Sequence, residues 1–181
     1  MGKRHVIISC VLLISAVPGP ALPRDAVQRT LSRIDWSAVR QDQERAGATT
    51  HDAVRKFLDS APEGLGDVKL PVLILGGAGD WGAPRFRGQG TAYVVIYTLE
   101  RAKLSILGSS SKLIAPGDLA LEHEPSAFEL IGDGADYSFT RYQAAYTLRL
   151  ACDDPLKDER CTDPQYLTNA ANSLIVAGGR P

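Results

Sequence analysis

The alternation at residues 142–152 constrains this chain more than any other stretch. Tyr142, Ala144, Tyr146, Leu148, Leu150 and Cys152 fall on one side, and Gln143, Ala145, Thr147, Arg149 and Ala151 on the other. A period of two belongs to a β-strand with one buried and one wet face. Such a strand needs neighbours, and the chain offers several. Leu70-Pro71-Val72-Leu73-Ile74-Leu75, Thr91 to Leu99 and Leu104 to Leu107 read as strands, the last two joined as a hairpin around Glu100-Arg101. Tyr93, Val95, Tyr97 and Leu99 line one side of the second and Ala92, Val94 and Ile96 the other, which predicts a central strand covered on both faces. Weaker strands are expected at Lys112 to Ala115 and Ala127 to Ile131, bounded by Pro116-Gly117 and Gly132-Asp133-Gly134.

Helical spacing appears at both ends. Val27, Leu31, Ile34, Ala38 and Val39 recur at three to four residues and predict a first helix. A second follows, with Thr49 and Asp52 as a capping pair, Ala53, Val54, Phe57, Leu58 and Ala61 as its apolar face, and Pro62 and Gly64 as its stop. Asp163 caps a closing helix with Pro164 at its first position; Leu167, Ala170, Ala171 and Leu174 form its inner face, and Gly178 and Gly179 end it. The expectation is an α+β fold, an antiparallel meander sheet with two N-terminal helices and one C-terminal helix packed on it.

The first 21 residues read as a signal peptide: Lys3 and Arg4, an apolar run from Val6 to Ile14, then small and helix-breaking residues up to Ala21, where cleavage is expected. The run is shorter than the ~20 residues that span a bilayer, so no stable membrane anchor is expected after cleavage. Residues 22–181 are then a single periplasmic α+β domain of 160 residues. The leader removes two of 20 basic residues and none of 21 acidic ones, leaving a formal charge of −3. That balance argues against a nucleic-acid partner. Export to an oxidising compartment also pairs the two remaining thiols, Cys152 and Cys161, as a disulfide. Closing this small ring contributes ~2.7 kcal/mol on the chain-entropy model. A metal site is the weaker reading, since no His lies near these thiols.

Motifs that carry chemistry are sparse. Gly77-Ala78-Gly79-Asp80-Trp81-Gly82 satisfies G-x-G-x-x-G after a strand, with Glu100 at a suitable distance. The following Ala83-Pro84-Arg85-Phe86-Arg87-Gly88-Gln89-Gly90 cannot open the helix that dinucleotide binding requires, so no cofactor is expected. The 76–90 stretch reads instead as a long loop whose Trp81, Arg85, Phe86 and Arg87 are the candidate binding residues. The competing reading has Trp81 and Phe86 covering a sheet edge. His51 and His123 lack metal-ligand spacing, and Ser109-Ser110-Ser111 lacks a nucleophile elbow. Asp153-Asp154 and Asp158-Glu159 read as solubilising pairs; the stripe Tyr137, Phe139, Tyr142 and Tyr146 could form a stacking platform, but its strand spacing favours core, at least for Tyr142 and Tyr146. No catalytic or metal-binding residue is assigned.

The stretch Tyr137-Ser138-Phe139-Thr140-Arg141-Tyr142-Gln143-Ala144-Ala145-Tyr146, then Cys152, Arg160-Cys161 and Val176-Ala177-Gly178-Gly179, resembles small exported proteins of proteobacteria. The resemblance covers roughly residues 70–181 and implies an envelope location and a shared fold, with no activity to carry over. The expected function is a non-enzymatic binding or accessory module of the cell envelope, periplasmic or secreted, that binds another envelope protein or a ligand. The alternative is a hydrolase acting on envelope material, built on His51 or His123. A histidine gathered with Asp, Glu or Ser in a concave site would favour the hydrolase, and exposed Trp81 and Phe86 the binding module.

Overall fold

The computed structural model describes residues 28–60, 63–77, 81–114 and 126–181; the expected leader and its cleavage point lie outside them, as does His123. The first described element is a short strand, β1 (Gln28–Leu31), where a helix is expected. Strand pairing to a distant segment overrides the helical spacing that runs through Leu31. The helix begins later, as α1 (Trp36–Glu44), because the Asp35 carboxylate accepts from the N–H groups of Ser37 and Ala38. Next comes α2 (Ala48–Asp59), whose cap is Gly47, without a side-chain hydrogen bond, so the Thr49–Asp52 capping pair is not used. Phe57 is its buried anchor.

The strands then follow: β2 (Val72–Leu75), β3 (Arg85–Gln89), β4 (Ala92–Leu99), β5 (Ala102–Ser109), β6 (Ser111–Ile114), β7 (Ser126–Ile131), β8 (Gly134–Arg141) and β9 (Ala144–Cys152). The chain closes with α3 (Glu159–Thr162), α4 (Pro164–Asn172) and a last strand, β10 (Leu174–Gly178). This is the expected α+β class with an antiparallel sheet. Six strands form the main sheet in the order β3-β4-β5-β9-β8-β7, two three-strand meanders joined where β5 meets β9. Two further pairs stand apart from it, β1 with β6 and β2 with β10.

Two further expectations need correcting. Leu174, expected in the closing helix, begins β10: Ser173 ends the helix by donating its N–H to Asn169 and Ala170, and the β-branched Ile175 and Val176 then favour a strand. The Asp163 cap, Pro164 and the buried Leu167 and Ala170 are as expected. β4 is second from the sheet edge and buried on one face only; Val94 and Ile96 are half-exposed and Ala92 is exposed.

The inner face of the main sheet carries an aromatic row. Tyr93, Gly108, Tyr146 and Phe139 oppose one another across β4, β5, β9 and β8. The Tyr93 ring lies over Gly108, where a Cβ would collide with it. Ring centroids are 6.5 Å apart for Tyr93–Tyr146 and 5.5 Å for Phe139–Tyr146. Onto this face packs β2, all four of whose residues are buried. One edge of β2 pairs with β10; the other faces tyrosine hydroxyls. Leu73 N–H donates to Tyr93 Oη at 2.7 Å, Leu75 N–H donates to Tyr97 Oη at 3.0 Å, and Tyr146 Oη donates to the Pro71 carbonyl at 3.0 Å. Cys152 and Cys161 form the disulfide, with Cα atoms 6.5 Å apart, fastening α3 to the end of β9.

Burial pushes the Tyr97 hydroxyl up to about 12 and Tyr93 well above its ordinary 10. A raised value means that stability is fully present below pH 10 and is lost as pH rises toward the folded value. Tyrosinate absorbance from Tyr93 and Tyr97 should therefore appear only as the fold is lost, so that part of the 295 nm signal rises together with the circular dichroism transition. Tyr97→Phe, which leaves the buried Leu75 N–H unpaired, should cost about 1–3 kcal/mol in denaturant unfolding.

Candidate functional site

The turn from β8 to β9 is tight, and both of its central residues have positive φ, Tyr142 at 53° and Gln143 at 63°. Glycine and asparagine dominate such positions because a Cβ there costs about 1–2 kcal/mol. The surroundings hold this turn in place. Asp35 N–H donates to the Tyr142 carbonyl at 3.1 Å, setting the start of α1 against it. Two turns along α1, Asp42 reaches the same corner. Its Oδ2 accepts from Tyr142 Oη at 2.6 Å and from Arg141 Nη2 at 2.9 Å, while its Oδ1 accepts from Arg45 Nη2 at 2.8 Å. The Arg141 guanidinium lies 4.9 Å from the centre of the Tyr142 ring and donates through Nη1 to the Leu174 carbonyl at 2.9 Å. One corner thus ties α1, the β8–β9 turn and β10 together.

The electrostatics follow from these contacts. The hydroxyl of Tyr142 and then the guanidinium of Arg141 hold the Asp42 carboxyl below its ordinary 3.8. Burial, with the Asp42 carboxylate beside it, pushes the Tyr142 hydroxyl up. Asp42 is ionised and Tyr142 is a neutral donor at any physiological pH.

A cleft of about 600 Å³ opens beside this corner. The full length of α2 forms one wall, through Thr50, His51, Val54, Arg55, Leu58 and Asp59; β10 forms the facing wall, and Asp42, Gln43 and Ala46 of α1 close one end with Arg141 and Tyr142. Apolar walls with a few converging polar groups are the usual make-up of a ligand site. Leu58, 46 % exposed, is the apolar side chain of α2 left most open to solvent there.

The residues singled out by sequence are placed elsewhere. Residues 81–84 are irregular, and Arg85–Gln89 form the edge strand β3, so no helix follows the glycines. Phe86 packs inward between Phe57 and Tyr93, at 5.8 and 6.1 Å between ring centroids, while Arg85 and Arg87 are exposed on β3. Trp81 is half-buried against the core beside a second cleft of about 550 Å³ with Asp52, Lys56 and Tyr97; its Nε1 has no hydrogen-bond partner among the described residues. Of the histidines, His51 lines the first cleft and hydrogen-bonds to no carboxylate or hydroxyl among the described residues. No group of three His, Cys, Asp or Glu side chains placed to hold a metal ion occurs among the described residues. Tyr142 and Tyr146 are buried; Tyr137 and Phe139 are half-buried against the core.

Compared with known protein families, curated proteins and solved structures, the chain matches none.

Sequence reasoning missed Asp42, Arg141 and the polar role of Tyr142. Asp42 and Tyr142 are separated by 100 positions, and no local pattern joins them. The available signal was the pair Tyr142-Gln143 in a two-residue turn between alternating strands, where glycine or asparagine is the ordinary choice.

Two predictions test this corner. Gln143→Gly, which removes the positive-φ strain without touching Asp42, should raise stability by about 1 kcal/mol in urea unfolding. Because the Asp42 carboxyl is lowered in the fold, its contribution is present above 3.8 and lost as pH falls through its folded value. Asp42→Asn should therefore be less stable than the wild type at neutral pH, with the difference shrinking in acid, as measured by melting temperature across pH 2–7.

Proposed function

We propose that the protein is an exported binding module of the cell envelope, and that the cleft between α2 and β10 is its ligand site. The single observation that carries the site is the corner beside it: a strained turn held by Asp42, Arg141 and Tyr142 at the mouth of an apolar cleft. A fold that only needed to reverse the chain could use glycine there; holding Tyr142 and Gln143 against their backbone preference fixes Arg141 and Tyr142 at one end of the cleft. Export is supported by the composition of residues 1–21 and by the disulfide, which suits an oxidising compartment. No helix among the described residues is long and apolar enough to cross a membrane. The resemblance to small exported proteobacterial proteins belongs to the same reading.

One observation favours the hydrolase alternative, the position of His51 in the same cleft as Asp42 and Asp59. Asp42 is already engaged by two guanidiniums and a hydroxyl, and His51 lacks the orienting hydrogen bond that a general base uses. Binding is the better-supported role.

Native mass spectrometry of protein released gently from the periplasm tests both parts. The expected species starts at Leu22, lacks two thiol hydrogens and carries a bound molecule that Leu58→Arg removes. Retention of the leader in the cytoplasmic fraction would overturn export. A bound molecule that survives Leu58→Arg but is lost on Trp81→Ala would move the site to the second cleft. Cleavage of envelope material, abolished by His51→Ala, would establish the hydrolase.

A further inference from the structure

One wall of the first cleft is the edge of a strand. Leu174, Ile175 and Val176 all line it, and successive side chains of a strand point to opposite faces. Three consecutive residues border one cleft where the strand presents its edge. The ladder to β2 says which backbone groups lie there. Gly76 N–H donates to the Ser173 carbonyl at 2.9 Å, and Ile175 opposes Ile74 in the same register. In an antiparallel ladder alternate residues turn their N–H and C=O toward the partner, so Ile175 faces β2 while Leu174 and Val176 face away from it.

Two observations agree with this assignment. Arg141 reaches the Leu174 carbonyl from the side away from β2. On the opposite margin of the pair, Leu73 and Leu75 turn their N–H groups outward to Tyr93 and Tyr97, as the same register demands. The two margins are treated differently. That of β2 is closed by tyrosine hydroxyls, whereas on β10 the Leu174 N–H and both Val176 backbone groups have no hydrogen-bond partner among the described residues.

We propose that an extended peptide segment binds in this cleft as a third strand of the β2–β10 sheet, hydrogen-bonded to Leu174 and Val176. The proposal rests on the cleft being the binding site and adds the class of ligand. Strand addition takes its affinity from main-chain bonds and its selectivity from the alternate side chains. The opposite wall fits such a guest in length: Thr50 to Leu58 of α2 spans ~12 Å, the reach of three or four extended residues. Its side-chain preference can be read from what surrounds it. Val54, Leu58 and Ala46 ask for an apolar residue. At the α1 end the carboxylate of Asp42 is shared between Arg141, which lines the cleft, and Arg45, which lies outside it, so an acidic residue there would meet the guanidinium of Arg141. The expected partner is a protein segment pairing apolar residues with an acidic one.

The test selects random heptapeptides displayed on phage against the purified mature protein, then synthesises the enriched sequence. The peptide should carry apolar and acidic residues and slow hydrogen exchange at the Leu174 and Val176 amides. Methylating the peptide nitrogen that faces β10 should weaken binding roughly tenfold, the loss expected for one main-chain hydrogen bond. Leu58→Arg should weaken it at least as much, with little change in melting temperature, since Leu58 is nearly half exposed. A probe that perturbs Val54 and Leu58 without slowing exchange at Leu174 and Val176 overturns strand addition and leaves the cleft as a ligand site. Binding that is insensitive to Leu58→Arg overturns the site as well. A selection yielding no peptide that binds overturns the peptide as ligand.

Discussion

The structure depends on how the outer edge of β2 is satisfied. A four-residue strand buried on every side cannot leave its N–H groups without acceptors, and only one edge of β2 has a strand beside it. The hydroxyls of Tyr93 and Tyr97 take the place of a second neighbour, reaching up from the main sheet to accept from Leu73 and Leu75. A side-chain oxygen substitutes for a backbone carbonyl here, so the two sheets can stack without sharing a strand. The arrangement also explains Gly108: a row of large rings across β4, β5, β9 and β8 needs one position with no side chain for Tyr93 to lie over.

From that stack the rest follows. With β2 fixed on the main sheet, β10 is fixed beside it, and α1 and α2 lie against β10. The corner at Asp42 then closes the assembly from the other side, since Arg141 bonds to both α1 and β10. The cleft is the space left between α2, the helix that follows the one this corner holds, and a strand held at its inner edge by β2. Its shape comes from the packing of four elements, with no single loop defining it.

Much of the architecture was legible in the chain. The alternation of β9, the β4–β5 hairpin, the Asp163-Pro164 start of α4 and the single disulfide all arise from local pattern or from a forced pairing, and the structure has each of them. What could not be read was decided at long range. Leu31 continues a helical stripe yet becomes a strand, because β6 offers it a partner eighty positions away. Leu174 suits the closing helix and joins a strand, because β2 lacks one neighbour. Phe86, in a sequence full of loop signals, is drawn into the core by Phe57 and Tyr93. The candidate site belongs to the same class: Asp42, Arg141 and Leu174 lie far apart along the chain, and only the stacking of the sheets brings them to one corner.

The lateness of β10 has a consequence for how this chain reaches its fold. Its partner, β2, consists of Val72, Leu73, Ile74 and Leu75, and this most hydrophobic strand must wait about a hundred residues for a ladder. Until Leu174–Gly178 is available, β2 has a bare margin, and the Leu174 carbonyl is not there to receive Arg141. The small sheet and the cleft wall therefore depend on one and the same long-range contact. A chain without Leu174–Gly178 would therefore lack both the ladder of β2 and one wall of the cleft.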